Sequence, residues 1–210
     1  MRNTIVSKIE TNKIDKKSLK EAVEILRRGG IIVYPTETCY GIGCDATNKK
    51  AVNDIYKIKK REKRKQMTII VSSLNMIKKY GIITKKNERI IKKFMPGPLS
   101  IIVRKKDESF LSKNKDTLAF RISINKIANE LVRKLKKPII STSANITRKK
   151  PIYKINKIIR IFNKKVDMII NVGDLKKINP STILDMTKNG IIIRHGPVSR
   201  EEIMKELNKN

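Results

Sequence analysis

Tryptophan is absent from this chain, and aromatic residues make up only 4% of its 210 positions, so aromatic stacking is not expected to dominate recognition. Histidine occurs once, at His195, and cysteine twice, at Cys39 and Cys44. That set cannot assemble a four-ligand zinc site. A Cys–His nucleophilic pair would require His195 beside Cys39; two reduced, partly buried thiols are the ordinary reading. No apolar run approaches the roughly 20 residues of a membrane span, and Met1-Arg-Asn-Thr-Ile-Val lacks the apolar stretch of a secretory signal. A soluble, cytoplasmic protein without membrane attachment is expected. Neither Gly-x-Gly-x-x-Gly nor Gly-x-x-x-x-Gly-Lys-Ser/Thr occurs, so any nucleotide must be held by something other than a Rossmann turn or a P-loop. Acidic residues are scarce: 19 Asp+Glu stand against 50 Lys+Arg, a formal charge of +31. Such a charge attracts polyanions. The cations are not confined to one block, however, and a Lys-rich composition also suits life at high temperature.

Ile-rich runs supply the core. Short apolar segments predict strands at residues 31–34, 68–72, 99–104, 118–122, 138–142, 167–171, 182–186 and 190–194, with an edge strand at 4–9. Most lack strict alternation, as expected where both sheet faces are covered. Helices fall between them. Asp15 can cap one with Leu19, Ala22, Val23 and Leu26 inward, stopped by Gly29-Gly30. Asn48 can cap a second. Asn87 opens a third, ended by Pro96-Gly-Pro98, and Ile127, Leu131 and Leu135 mark a fourth. Residues 153–162 predict a fifth, and Ser199 with Glu202 forms a capping box for the last. Helix and strand alternate at first, then strands follow one another. The pattern predicts an α/β fold: an open, twisted, mixed parallel and antiparallel sheet with helices packed around it.

Several segments carry chemistry, each beside a plainer reading. Pro35-Thr36-Glu37-Thr38-Cys39-Tyr40-Gly41 leaves the strand at 31–34 at its C-terminal end, the usual ligand edge of such a sheet. Thr36 and Thr38 can face a small polar substrate or simply brace a turn. Lys59-Lys60-Arg61 can clamp phosphates or merely complement a helix C-terminus. Ser141-Thr142-Ser143-Ala144-Asn145 suits a nucleotide or a capped loop. Arg121 sits inside the apolar strand at 118–122 and needs an anionic partner, either a core carboxylate or a substrate. Ser181-Thr182 opens a strand, and Arg194-His195-Gly196 ends the last one. His195, beside a Gly-Pro turn, reads as a surface residue more readily than as a proton shuttle. No carboxylate pair stands out as general acid and base. Hydroxyls and cations instead suit adenylyl transfer, in which positioning and charge stabilisation carry the chemistry.

In this order the segments, with Pro96-Gly-Pro98 and Ala119-Phe120-Arg121, resemble the YrdC-like family of threonylcarbamoyl-AMP synthases. The resemblance covers residues 15–200 and implies a YrdC-like sheet with a large basic cavity. It implies that L-threonine, bicarbonate and ATP condense to threonylcarbamoyl-adenylate and pyrophosphate, with ATP as a substrate accompanied by Mg²⁺. A downstream transfer complex would then pass the threonylcarbamoyl group to tRNA. By motif, the resemblance makes Thr36, Arg121 and Thr182 threonine contacts, Arg121 meeting the carboxylate. Lys59, Arg61, Thr117, Ser141, Ser143, Asn145 and Arg194 become ATP contacts, with Pro151 on the adenine side. It assigns no catalytic base and no metal ligand. Two departures stand out: Glu62 replaces a family proline, and a family histidine near Ile70 or Val71 is missing. The expected form is the short one, a single domain across residues 1–210. The alternative is a non-catalytic member of the same fold that binds tRNA or double-stranded RNA. A related carbamoyl-adenylating enzyme is disfavoured, because such proteins usually carry zinc modules that one His and two Cys cannot build.

Overall fold

The computed structural model describes residues 2–10, 15–106 and 116–209. Among these residues ten strands form one mixed sheet in the order β1-β8-β2-β3-β7-β4-β6-β5-β9-β10. They are β1 Ile5–Lys8, β2 Ile32–Pro35, β3 Tyr40–Gly43, β4 Thr68–Ile70, β5 Leu99–Arg104, β6 Thr117–Arg121, β7 Ile139–Ser143, β8 Met168–Asn171, β9 Thr182–Asp185 and β10 Ile191–Arg194. The helices are α1 Lys16–Arg27, α2 Lys49–Ile58, α3 Leu74–Tyr80, α4 Lys85–Phe94, α5 Lys126–Leu135, α6 Ile155–Phe162 and α7 Arg200–Leu207. Parallel pairs (β1–β8, β2–β8, β4–β6, β5–β9) are mixed with antiparallel ones, as the broken alternation of strand and helix predicts. No helix among the described residues is long and apolar enough to cross a membrane.

The continuous apolar runs are explained by two cores, one on each face. Along β2, Val33 enters one core while Ile32 and Tyr34 enter the other; β8 divides Ile169 from Met168 and Ile170 in the same way. The larger core extends across most of the sheet, from Ile169 on β8 to Leu184 on β9, under α2, α3, α4, α6 and α7. The smaller core belongs to α1 and α5, which pack on each other. Asp15 accepts hydrogen bonds from the backbone N–H groups of Lys17 and Ser18, and Asn125 accepts one from that of Ala128, so both helices start where a side chain answers otherwise unpaired donors. The smaller core stops partway across its face. On β7, Ile139 is in it, but Ser141, two residues on and on the same side, is not. The remainder of that face carries polar side chains, among them Thr68, Arg121 and Ser141.

Two elements and one boundary differ from the sequence expectation. β3 lies in a stretch whose glycines argue against a strand, yet it pairs antiparallel with both β2 and β7. The glycines are the condition for that pairing: a Cβ on Gly43 would collide with the Ile140 carbonyl and lie 2.9 Å from the Tyr34 ring. α3, capped by Ser73, is too short for its period to register against the background. α4 begins one turn earlier than Asn87 suggests, because the Thr84 hydroxyl caps it by accepting from the Asn87 N–H. At the other end of the chain, the Ser199–Glu202 capping box is formed in full.

The close approach at Gly43 yields a test. Gly43→Ala should lower unfolding free energy by about 1–3 kcal/mol through overpacking, read by urea denaturation. An unchanged midpoint would mean that β3 and β7 have room between them.

Candidate functional site

The uncovered part of the sheet face forms the floor of a cavity of about 350 Å³. Thr68 of β4, Arg121 of β6 and Ser141 and Ser143 of β7 are exposed to it from adjacent strands. The turn between β2 and β3 forms one wall. There the Thr36 hydroxyl donates to the Cys39 carbonyl at 2.7 Å, lies 3.1 Å from the Thr38 hydroxyl, and accepts from the N–H groups of Thr38 and Cys39. Thr36 thus braces the turn and lines the cavity at once, so the two readings of this segment coexist.

Three arginines line the cavity. Arg61, half-buried, is gripped by its own loop: Nε donates to the Lys65 carbonyl at 3.1 Å and Nη2 to that of Gln66 at 2.8 Å. Burial pulls its pKa down. Arg194, at the exposed rim, donates from Nε to the Ser181 carbonyl and from Nη2 to the Ser181 hydroxyl, which is 3.2 Å from the Ser100 hydroxyl. Arg121 is only 6% exposed. Its partner is Glu37, whose Oε1 lies 3.3 Å from its Nε.

Other residues named from the sequence lie outside the cavity lining. Lys59 is 1% exposed and points behind the β7 exit, where its Nζ donates to the carbonyls of Ser143 and Asn145 and to Asn145 Oδ1. Asn145 closes the loop with donations to the Ile146 and Lys149 carbonyls. These two groups shape the loop that presents Ser143. Thr117 starts β6, and its carbonyl accepts from Gln66. Thr182 is fully buried on the opposite side of β9, donating to the Val198 carbonyl at 2.9 Å; Ser181 and Ile183 are the residues of that stretch that reach the cavity. Pro151 does line it.

The sequence reading did not single out Gln66, Met67, Thr68, Tyr153, Ile178 or Pro180 for the site, although all line it. Thr68 had a visible signal, being the polar start of an otherwise apolar strand. The others depend on loop paths that no spacing rule reveals. Ile70 and Val71, where the family histidine is missing, are both fully buried in the two cores. Cys39 touches the cavity, but burial raises its pKa, which disfavours the nucleophilic thiolate. His195 is exposed. No cluster of three or more His, Cys, Asp or Glu among the described residues could hold a metal ion.

Comparison with known proteins places this geometry in context. The Sua5–YciO–YrdC family, described as "Telomere recombination", matches residues 24–196. A Methanocaldococcus jannaschii protein provisionally named threonylcarbamoyl-AMP synthase is 36% identical over 208 residues, 98% of this chain and 99% of that protein. The crystal structure of Pyrococcus abyssi Sua5 complexed with L-threonine superposes with a TM-score of 0.88 at 28% identity, covering 98% of this chain. This chain spans only 61% of that one. The crystal structure of E. coli YciO gives a TM-score of 0.85 at 26% identity, with 97% of this chain and all of that one covered.

Lys59 generates a pH prediction. Burial, and secondarily the charge of Arg61, lowers its pKa to about 8, whereas an unfolded lysine remains charged to about pH 10.4. Between those values the folded protein binds fewer protons than the unfolded one. This group therefore makes stability rise as pH climbs from about 8 to about 10. Lys59→Met should abolish that rise, so the wild-type minus variant difference in unfolding free energy should grow over the window. A flat difference in urea titrations would show that the ammonium titrates as if solvated.

Proposed function

The chain belongs to the Sua5–YciO–YrdC family, and from that premise we propose that it is a threonylcarbamoyl-AMP synthase. It joins L-threonine, bicarbonate and ATP into threonylcarbamoyl-adenylate, releasing pyrophosphate. The observation that carries this reading is the convergence of Arg61, Arg121 and Arg194 with Thr36, Ser141 and Ser143 on one cavity, in a chain that superposes on a relative crystallised with L-threonine.

The chemistry follows from the groups present. The Nη groups of Arg121 are free of protein acceptors among the described residues, and a guanidinium fork matches an amino-acid carboxylate. The amine of threonine adds to bicarbonate-derived carbon to give a carbamate, with loss of water. A carbamate oxygen then attacks the α-phosphorus of ATP, and pyrophosphate leaves. Arg61 and Arg194 neutralise the triphosphate and stabilise the charge that builds on it. Lys59 and Asn145 hold the loop that aims Ser143, and the adenine lies toward Pro151 and Tyr153. Thr182 acts from behind, by fixing the β9 start that presents Ser181. The arginines make this a basic cavity. Mg²⁺ would arrive with the triphosphate, whose oxygens would hold it.

The product serves threonylcarbamoyladenosine formation on tRNA in the cytoplasm, through a separate transfer complex, and the charge of +31 steers anionic partners. Cations turned inward onto a cavity favour turnover over the alternative of a non-catalytic RNA-binding protein, whose cations would face outward. A single domain carries the activity.

The test is pyrophosphate release with ATP, Mg²⁺, bicarbonate and L-threonine. Release should depend on threonine, and Arg121→Ala should cut kcat/KM for threonine by roughly 100-fold, the loss of a charge-assisted bidentate pair. Threonine-independent release, or an undiminished Arg121→Ala variant, would overturn the reading.

A further inference from the structure

Glu37 is the acidic side chain that faces Arg121, and it is not free to move. Both side chains are under a tenth exposed, and Glu37 Oε1 lies 3.3 Å from Arg121 Nε. The other carboxylate oxygen, Oε2, accepts from the Ser123 hydroxyl at 2.5 Å, and that hydroxyl accepts from the Asn125 N–H at 3.1 Å. Asn125 in turn caps α5. One carboxylate therefore ties the turn that carries Thr36 to the strand that carries Arg121, and anchors both to the start of a packed helix. It stands beside the inner edge of the guanidinium as a buried ion pair, with no hydrogen bond between Oε1 and Nε. The outer edge, with its two Nη groups, meets no acceptor among the described residues, while Arg121 lines the cavity.

We propose that Glu37 is a positioning residue that sets the affinity of this protein for the carboxylate of its amino-acid substrate. It does so through Arg121: with the anchored Glu37 side chain packed beside Nε, the Nη pair is held as a ready-made fork toward the cavity, and its rotamer freedom is already lost before the ligand arrives. The contribution is geometric. Reach, rather than negative charge, is the property that position 37 must supply. The inference rests on the amino-acid-binding reading of the cavity and adds to it a residue that does not itself line the cavity.

Three substitutions separate reach from charge. Glu37→Gln keeps the length and an oxygen acceptor but removes the charge. Glu37→Asp keeps the charge but withdraws the acceptor by one methylene. Glu37→Ala removes both. Threonine binding by calorimetry and the KM values for threonine and ATP are measured on each variant, with thermal unfolding as a check on folding. Glu37→Gln should bind threonine within about threefold of wild type, while Glu37→Asp and Glu37→Ala should weaken binding about tenfold, the cost of ordering one loose side chain. KM for ATP and kcat at saturating threonine should stay within about twofold. Preference for threonine over threoninamide, which lacks the carboxylate, should shrink in the Asp and Ala variants alone. The proposal is overturned if Glu37→Asp matches wild type while Glu37→Gln fails, since charge would then be what matters. It is also overturned if threonine and ATP affinities fall together, or if neither moves. Should Glu37→Ala fail to fold, the Gln and Asp pair still decides. A wild type that binds threonine but releases no pyrophosphate would sink the synthase reading and leave the Glu37 comparison intact. A wild type that binds no threonine would sink both.

Discussion

A guanidinium buried inside a β-sheet needs a partner, and much of this site is arranged around how Arg121 is met. A buried cation without a partner costs several kcal/mol. Here one carboxylate stands 3.3 Å from the arginine's Nε, without a hydrogen bond between them, and the arginine also lines a cavity. The protein accepts an incompletely paired charge where a ligand can complete it. Such local incompleteness is characteristic of binding sites, which are drawn from the less self-satisfied parts of a fold.

The second constraint is the unequal cover on the two sheet faces. On one face, helices cover most of the sheet, from β8 to β9; on the other, α1 and α5 end partway. The same strand then serves both purposes, as β7 does by burying Ile139 and presenting Ser141 and Ser143 two and four residues later. Period-2 geometry makes this inexpensive: a strand need change only the polarity of alternate side chains to pass from core to site. The cations are divided by depth as well. Lys59 is spent on carbonyls behind the loop, whereas Arg61 and Arg194 keep part of their surface on the cavity.

Much of this was legible in the sequence, for reasons that can be named. Dense Ile runs bounded by polar residues marked eight of the strands, and Asp15, Asn48 and Ser199 marked helix starts because a side chain must answer the first N–H groups of a helix. β3 was hidden because its glycines obey a long-range requirement, the close approach of β7, and not a local propensity. α3 is too short to display a period. Of the residues that motif order names for the site, Thr36, Arg61, Arg121, Ser141, Ser143 and Arg194 line one cavity. What motif order did not convey was orientation. Thr182 and Ser181 are adjacent in sequence and lie on opposite sides of β9, and which of them faces the cavity follows from register with β5. The Glu37–Arg121 pairing was likewise invisible, because 84 positions separate its members.

The walls of the cavity come from residues as distant as Thr36 and Arg194, and the strands between them are interleaved so that β7 sits beside β3 and β9 beside β5. No short contiguous fragment contains the binding surface. A half-assembled chain has nothing with which to grasp a small molecule, so metabolite occupancy rewards only the completed architecture and acts as a brace on the last stage of assembly. In a cell rich in its substrates, this protein would resist unfolding as a ligand-saturated body, and depletion of those substrates would expose it to turnover before any change in its own sequence or synthesis.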